Sequence, residues 1–313
     1  MVMTSANSLE TLSSITQRID AVTHIPGEFR TAHLPPPKSV KIELTGACNY
    51  KCNFCPTGSK TGGVKMDWDL FVKVTDELYD LGIREIGLFY LGEPLTAPVE
   101  LVKSIRHLKG KGFEYLFLTT NGSLCKPELA HQVMDAGVDS IKFSINSDSE
   151  EQFAEVTGVN PKFHQKSIDN LRTTFVIRNM FGFKTKIYAS SIQYNGEQQA
   201  RMQKVVDELK PFCDEHYWLP LYNVEDGGAA GNQGRIGGLV ESIPCWSAFT
   251  EGHILANGEV SVCCFDDTGK MGVGNLNNTS FMEAWNSEPF VALRQAHLDG
   301  NVDHLMCKTC LNL

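Results

Sequence analysis

Between Val40 and Asn223 short β-branched and aromatic runs alternate with longer segments of helical period, and this alternation limits the possible fold more than any other feature. VKIEL is followed by a helical segment over 70–81, REIGLFYL by one over 98–111, YLFLTT by one over 126–136, SIKFSI by one around 166–178 and KIYASSI by one over 198–210. HYWLPLYN supplies a sixth strand. Strands separated by helices of this length pair in parallel through right-handed crossovers, so the fold class is α/β. Ahead of them, Leu9, Leu12, Ile15, Ile19 and Val22 fall at helical spacing and run into Pro35 to Pro37, which predicts a docking helix and a stiff linker over 1–38. Beyond Asn223 the string GGAAGNQGRIGG breaks the pattern as a flexible boundary, giving further units at 39–225 and 226–313.

With 313 residues, of which 42% are hydrophobic, the chain can bury a large core. A net charge of −9 argues against a nucleic-acid partner and tolerates a cationic substrate. No apolar run reaches the roughly 18 to 20 residues of a membrane span. The polar start MVMTSANSLETLSS lacks the basic and apolar regions of a signal peptide, so the expectation is a cytoplasmic protein with reduced thiols.

Just after the first strand-like run stands CNYKCNFC, with Cys48, Cys52 and Cys55 spaced C-x3-C-x2-C. Three thiolates hold three irons of a [4Fe-4S] cube and leave the fourth iron open to chelate a small molecule. A structural zinc wants four ligands, and no His stands nearby to complete the set. The spacing, with Phe54 before the third cysteine, resembles the radical S-adenosylmethionine (SAM) superfamily. That resemblance implies a partial (β/α)6 barrel of the TIM type and reductive cleavage of SAM to a 5′-deoxyadenosyl radical. It also implies an electron donor of the flavodoxin or ferredoxin kind.

Because the chemistry of parallel α/β barrels gathers at the C-terminal ends of strands, the residues there are the ones to inspect. Leu91-Gly92-Glu93-Pro94 after the second strand is similar to the family's GGEP motif, whose carboxylate accepts from the SAM ammonium; Leu91 departs from the usual first glycine. Thr119-Thr120-Asn121-Gly122 after the third is similar to a signature bordering the methionine and ribose. Ser144 and Asn146, two apart and therefore on one strand face, are expected at the ribose, with Ser190 and Gln193 of the fifth strand lining the same pocket. The competing reading of each is an ordinary turn or strand-end hydrogen bond.

Five of the ten cysteines lie beyond the Gly-rich string. Cys245, then Gly258-x4-Cys263, then the terminal pair Cys307 and Cys310, resemble the twitch variant of the SPASM domain, a small C-terminal module that binds an auxiliary [4Fe-4S] cluster. Gly274-Asn275-Leu276 and the segment Phe281 to Asn286 are also typical of it. Four thiolates saturate the cube, and an all-cysteine zinc is the alternative. Cys125 and Cys213 read as small buried hydrophobes.

Cys264 follows directly on Cys263 in the strand-like run Val260 to Phe265, so the two side chains are expected on opposite faces. Aminoglycoside epimerases of this twitch-bearing group carry a hydrogen-atom-donating cysteine in the C-terminal region, and Cys264 is similarly placed. The expected function is therefore epimerisation of a carbohydrate-type small molecule, with Cys264 as donor and Asp266 as the first choice for holding a substrate ammonium. Oxidation of a secondary alcohol by an aminocyclitol-type dehydrogenase is the alternative, and peptide modification a third reading.

Overall fold

The computed structural model describes residues 14–55, 63–194, 196–220, 243–266 and 269–308. Helix α1 (Ile15–Thr23) precedes strand β1 (Ser39–Ile42), followed by α2 (Trp68–Asp80), β2 (Glu85–Gly87), α3 (Pro98–Lys111), β3 (Tyr115–Thr120), α4 (Pro127–Asp135) and β4 (Ser140–Ser144). Then come α5 (Glu150–Thr157), α6 (Lys162–Phe181), β5 (Lys186–Gln193), α7 (Gly196–Leu209) and β6 (Glu215–Pro220). The C-terminal part contributes α8 (Ser247–Thr250), β7 (Glu251–Ile254), β8 (Val260–Ser261), α9 (Phe281–Trp285) and α10 (Glu288–Leu298).

The strand order is β6-β5-β4-β3-β2-β1-β7-β8, all parallel except the last pair. Alternation along β1 sends Val40 and Ile42 into the core beneath the helices and Ser39, Lys41 and Glu43 to the other face. Helices α2 and α3 close that core with Phe71, Val74, Leu78, Leu101, Ile105 and Leu108. α3 begins on Pro98 and stops at Gly112, whose φ of 101° suits glycine. The second strand is much shorter than the REIGLFYL run, because the chain leaves the ladder at Gly87 to build the loop around Glu93.

The sheet curls. Ile15 N–H of α1 donates 2.9 Å to the Glu215 carboxylate at the start of β6, while Arg18, on the same turn, pairs with Glu85 at the start of β2 and lies 3.3 Å from the Tyr115 ring centroid. In a flat sheet β6 and β2 would stand about 19 Å apart, four strand spacings. One turn of helix spans about 5 Å. The helix therefore closes the end of a partial barrel where its strands begin. Leu9 and Leu12 of the expected docking helix, and the expected boundary at 225/226, lie outside the described residues.

β7 extends the sheet beside β1 in the register Lys41↔His253, so the C-terminal segment continues the barrel wall. Behind it Arg294 is fully buried between the rings of Trp285 and Phe290 and donates to the carbonyls of Ala248 and Trp285, each at 2.7 Å. Burial alone pulls its pKa down to about 9. Arg294→Met is expected to lower stability by about 2–4 kcal/mol, since each orphaned carbonyl costs about 1–3 kcal/mol and relief of a buried charge offsets part. An unchanged melting temperature would refute this role.

Candidate active site at the cysteine loop and strand ends

The loop that leaves β1 is seated on α5 and α6. Lys51 N–H donates 2.9 Å to Thr157 O and Asn53 N–H 2.9 Å to Val156 O, so carbonyls at the end of α5 hold the loop from below. Tyr50 packs edge-on against Phe153, and its hydroxyl lies 3.0 Å from Ser167 Oγ of α6. Cys48 is exposed, Cys52 and Cys55 half-buried, and Phe54 packs against the core. Burial raises the Cys52 thiol well above its ordinary pKa, and charge on neighbouring Cys55 and Cys48 adds to the rise. A thiol such as Cys52, whose ionisation is opposed in the free chain, suits a cationic iron-sulfur centre, where the thiolates bind separate irons. Among the described residues no three His, Cys, Asp or Glu side chains converge on a single-ion site.

The loop after β2 packs directly on this one. Glu93 N–H donates 2.8 Å to Ala47 O, and a Cβ on Gly92 would lie 2.0 Å from Thr45 O, so glycine is required for the approach. Glu93 is buried. One carboxylate oxygen accepts from Thr120 Oγ1 (2.7 Å) and Leu95 N–H (3.1 Å), the other from Asn121 N–H (2.8 Å). Burial dominates and lifts its pKa to about 7. A carboxylate has about four lone-pair sites, so one acceptor position remains for a ligand cation. Pro94 and Thr120 serve the geometry of this loop, Pro94 by opening a short helical turn and Thr120 by its bond to Glu93.

Two residues here went unnoticed in the sequence. Glu43, buried at the end of β1, accepts from the N–H groups of Leu91 (3.2 Å), Gly92 (2.9 Å) and Ala256 (3.1 Å), tying the loop after β2 to the segment after β7. Asn49 accepts from Asn121 Nδ2 and donates to Ser123 Oγ, each at 2.9 Å. The Asn121 side chain is thus occupied in aligning the cysteine loop, while its backbone N–H serves Glu93. Only their position next to recognised motifs signalled either residue.

Asn146 Oδ1 and Ser190 Oγ are buried without a hydrogen-bond partner, as expected of groups awaiting a polar ligand. Ser144 pairs with Ser190 across β4 and β5, and Asn146 follows on the same face. Gln193 departs from the expectation. Three residues from Ser190 on one strand, it faces the opposite side of the sheet and is exposed, so it does not share their pocket.

At the other end of the barrel, Cys245, Cys263 and Cys307 line one cavity together with His297. Cys310 lies outside the described residues. Since β7 runs parallel to β1 and β8 returns antiparallel, Cys245 before α8 and Cys263 after β8 stand where the barrel strands begin. The Cys48–Cys55 loop stands where β1 ends. Between them, Lys41 Nζ lies 2.6 Å and His253 Nε2 3.1 Å from Glu251 Oε2, and Tyr90 stacks on His253 at 4.8 Å. Burial works against the Glu251 charge, yet Lys41 and His253 together outweigh it and hold the carboxyl down to about 2.

Two expectations for this end change. β8 stops at Ser261, whose hydroxyl bonds the carbonyls of Cys263 (2.7 Å) and Asp266 (2.9 Å), so Cys263 and Cys264 sit in a turn and the strand argument for opposite faces does not apply. Asp266 is buried, its two oxygens taking the N–H groups of Val262 (3.2 Å) and Met271 (3.3 Å). Its carboxylate organises the turn from within, and a substrate-facing role is not retained.

Residues 42–182 match the family model of the Radical SAM superfamily, and residues 245–311 that of SPASM, an iron-sulfur cluster-binding domain. The chain thus carries a Radical SAM domain followed by a SPASM domain. The first domain implies a [4Fe-4S] cluster and SAM, the second additional iron-sulfur clustering. Over 128 residues the chain is 38% identical to a protein of Saccharolobus solfataricus named probable GTP 3′,8-cyclase, an alignment spanning 40% of each. A namesake from Sulfolobus acidocaldarius is 39% identical over 39% of each chain. In fold, anSMEcpe with bound AdoMet is similar at a TM-score of 0.63 and 14% identity, over 87% of this chain and 88% of that one. BtrN in complex with AdoMet and 2-DOIA gives 0.54 at 15% identity, over 88% and 92%. Streptococcus suis SuiB bound to S-adenosylmethionine gives 0.62 at 15% identity, over 91% and 74%. Identities this low speak for the fold alone. No helix among the described residues is long and apolar enough to cross a membrane.

Proposed function

We propose that this enzyme epimerises a carbon of a carbohydrate-type small molecule, an aminoglycoside being the class suggested by resemblance to neomycin C epimerase, with Cys264 returning a hydrogen atom to the substrate. Cys48, Cys52 and Cys55 hold the first cluster; Glu93 takes the SAM ammonium, and Ser144, Asn146 and Ser190 the ribose. Bound there, the cluster supplies the electron that cleaves SAM to the 5′-deoxyadenosyl radical. Cys245, Cys263, Cys307 and Cys310 hold the second cluster at the opposite end.

The observation that carries the reading is the position of Cys264, a second thiol beside Cys263 in the turn reached from the barrel wall by Tyr90, whose hydroxyl lies 3.1 Å from Ser261 Oγ. Burial, then charge on Cys264 and Cys263, pushes that phenol up, a sign that both thiols lie near it. The adenosyl radical takes hydrogen from one face of the substrate carbon, and Cys264 S–H gives one to the other. The sulfur radical left behind is restored by one electron and one proton, the electron from a donor of the flavodoxin or ferredoxin kind.

Turnover in D2O with SAM, reductant and an aminoglycoside tests this. Expected are 5′-deoxyadenosine and a product that is an isomer of the substrate, heavier by one deuterium at the inverted carbon. Cys264→Ala should still cleave SAM but lose product formation by at least a hundredfold. A product lighter by two mass units, formed equally well by Cys264→Ala, would instead establish a dehydrogenase.

A further inference from the structure

We infer that His297, on the last turn of α10, sets the reduction potential of the C-terminal iron-sulfur cluster through an N–H···S hydrogen bond to Cys307. The inference rests on reading Cys245 and Cys307 as ligands of that cluster. The imidazole is buried and wedged edge-on against Phe249, and it touches both cysteines at once. Its Nδ1 accepts the backbone N–H of Cys245 at 3.4 Å, while its Nε2 lies 3.3 Å from Cys307 Sγ.

These two contacts assign the tautomer. A ring nitrogen that accepts an N–H carries no proton of its own, so the proton of the neutral ring lies on Nε2 and points at sulfur. The 3.3 Å separation suits a hydrogen bond to sulfur, which places the ring to act through the thiolate. Hydrogen bonds to cluster thiolates favour the more negatively charged reduced state and raise the potential. The Cys245 contact holds the ring in the orientation that aims its donor. Thus one residue couples the backbone of one ligand to the sulfur of another, and His297 is a positioning residue.

The lining of that cavity beyond the cysteines and His297 is mostly apolar, with Ala248, Val262, Phe265, Leu293 and Met306 beside Ser247, while the backbone N–H groups of Phe265 and Asp266 serve the Cys263 sulfur.

The test is potentiometric titration of the reconstituted full chain, following each cluster by electron paramagnetic resonance, with SAM added to mark the N-terminal one. His297→Phe keeps the ring volume and removes the donor; His297→Gln keeps an amide donor. Both variants are expected to retain the wild-type iron content. His297→Phe should lower the C-terminal potential by about 60 mV, a tenfold change in the reduced fraction for one electron, and His297→Gln should recover part of the shift. An unchanged potential in His297→Phe with iron retained overturns the inference. So does loss of about four irons in both variants, which would make His297 a ligand or a scaffold. Wild-type protein with only about four irons would overturn it through the underlying two-cluster reading, and is told apart because no second signal exists to shift.

Discussion

Replacing Cys48, Cys52 and Cys55 together by alanine is expected to cut iron from about eight to about four per chain and to abolish SAM cleavage, while thermal stability of the cluster-free protein changes little. The three thiols lie outside the buried core, and the loop carrying them is held by other groups: Lys51 and Asn53 on the end of α5, Tyr50 against Phe153 and Ser167, Asn49 against Asn121 and Ser123. Removing the sulfurs therefore takes away the iron and leaves the seat. The same operation on Cys245, Cys263 and Cys307 should behave otherwise. These line a cavity against Leu293 and Val262 of the core, so their loss should lower stability as well as iron. Iron analysis with calorimetry on both triple variants checks the contrast. Equal destabilisation by the two would mean that the first loop is held by its cysteines after all.

The barrel was legible in the sequence because each of its signals is local. Apolar runs with period two and stripes with period near 3.6 identify strands and helices without reference to any partner, and α3 and β3 fall where that periodicity puts them. α5 escaped for the same reason. Its eight residues carry four acidic or amide side chains, Glu150, Glu151, Gln152 and Glu155, and only Phe153 and Val156 as large apolar ones, too short a stripe to register. Yet α5 seats the cysteine loop. The strand expected over Val260 to Phe265 has the right composition, but Ser261 captures two carbonyls and turns the chain, a competition between side chain and ladder that hydrophobic pattern does not reveal.

Motifs made part of the site legible too, since cysteine spacing and a Gly-Glu-Pro string speak for themselves. The partners of those motifs did not. Glu43, Asn49 and His297 make contacts with residues 49 to 213 positions away, and nothing local distinguishes them from other polar residues. The pairing of β7 with β1 is of the same kind. It joins the two ends of the chain into one wall and so puts two cysteine groups at opposite ends of one barrel, a relation that no window along the sequence contains.

SAM affinity should fall about tenfold between pH 8 and pH 6 and should lose that dependence in Glu93→Ala, which is itself expected to bind SAM about ten- to a hundredfold more weakly at pH 8. Burial raises the free carboxyl to about 7, so at pH 6 it is mostly protonated and offers no charge to an ammonium. Binding a cation then requires the proton to leave, and affinity declines as pH falls. Folding responds with the opposite sign. A carboxyl whose pKa is raised in the folded state binds more protons there than in the unfolded chain, so its contribution to stability is present below about 4.5 and is lost as pH rises through about 7. Glu93→Ala removes both dependences, and without the carboxylate the Thr120 hydroxyl and Asn121 N–H lose their acceptor. Calorimetric titration with SAM across this range, on protein with its clusters intact, decides the matter. A pH-independent wild-type affinity, or an unchanged affinity in Glu93→Ala, would reduce Glu93 to a brace between the loops after β2 and β3 and leave the ammonium to another acceptor.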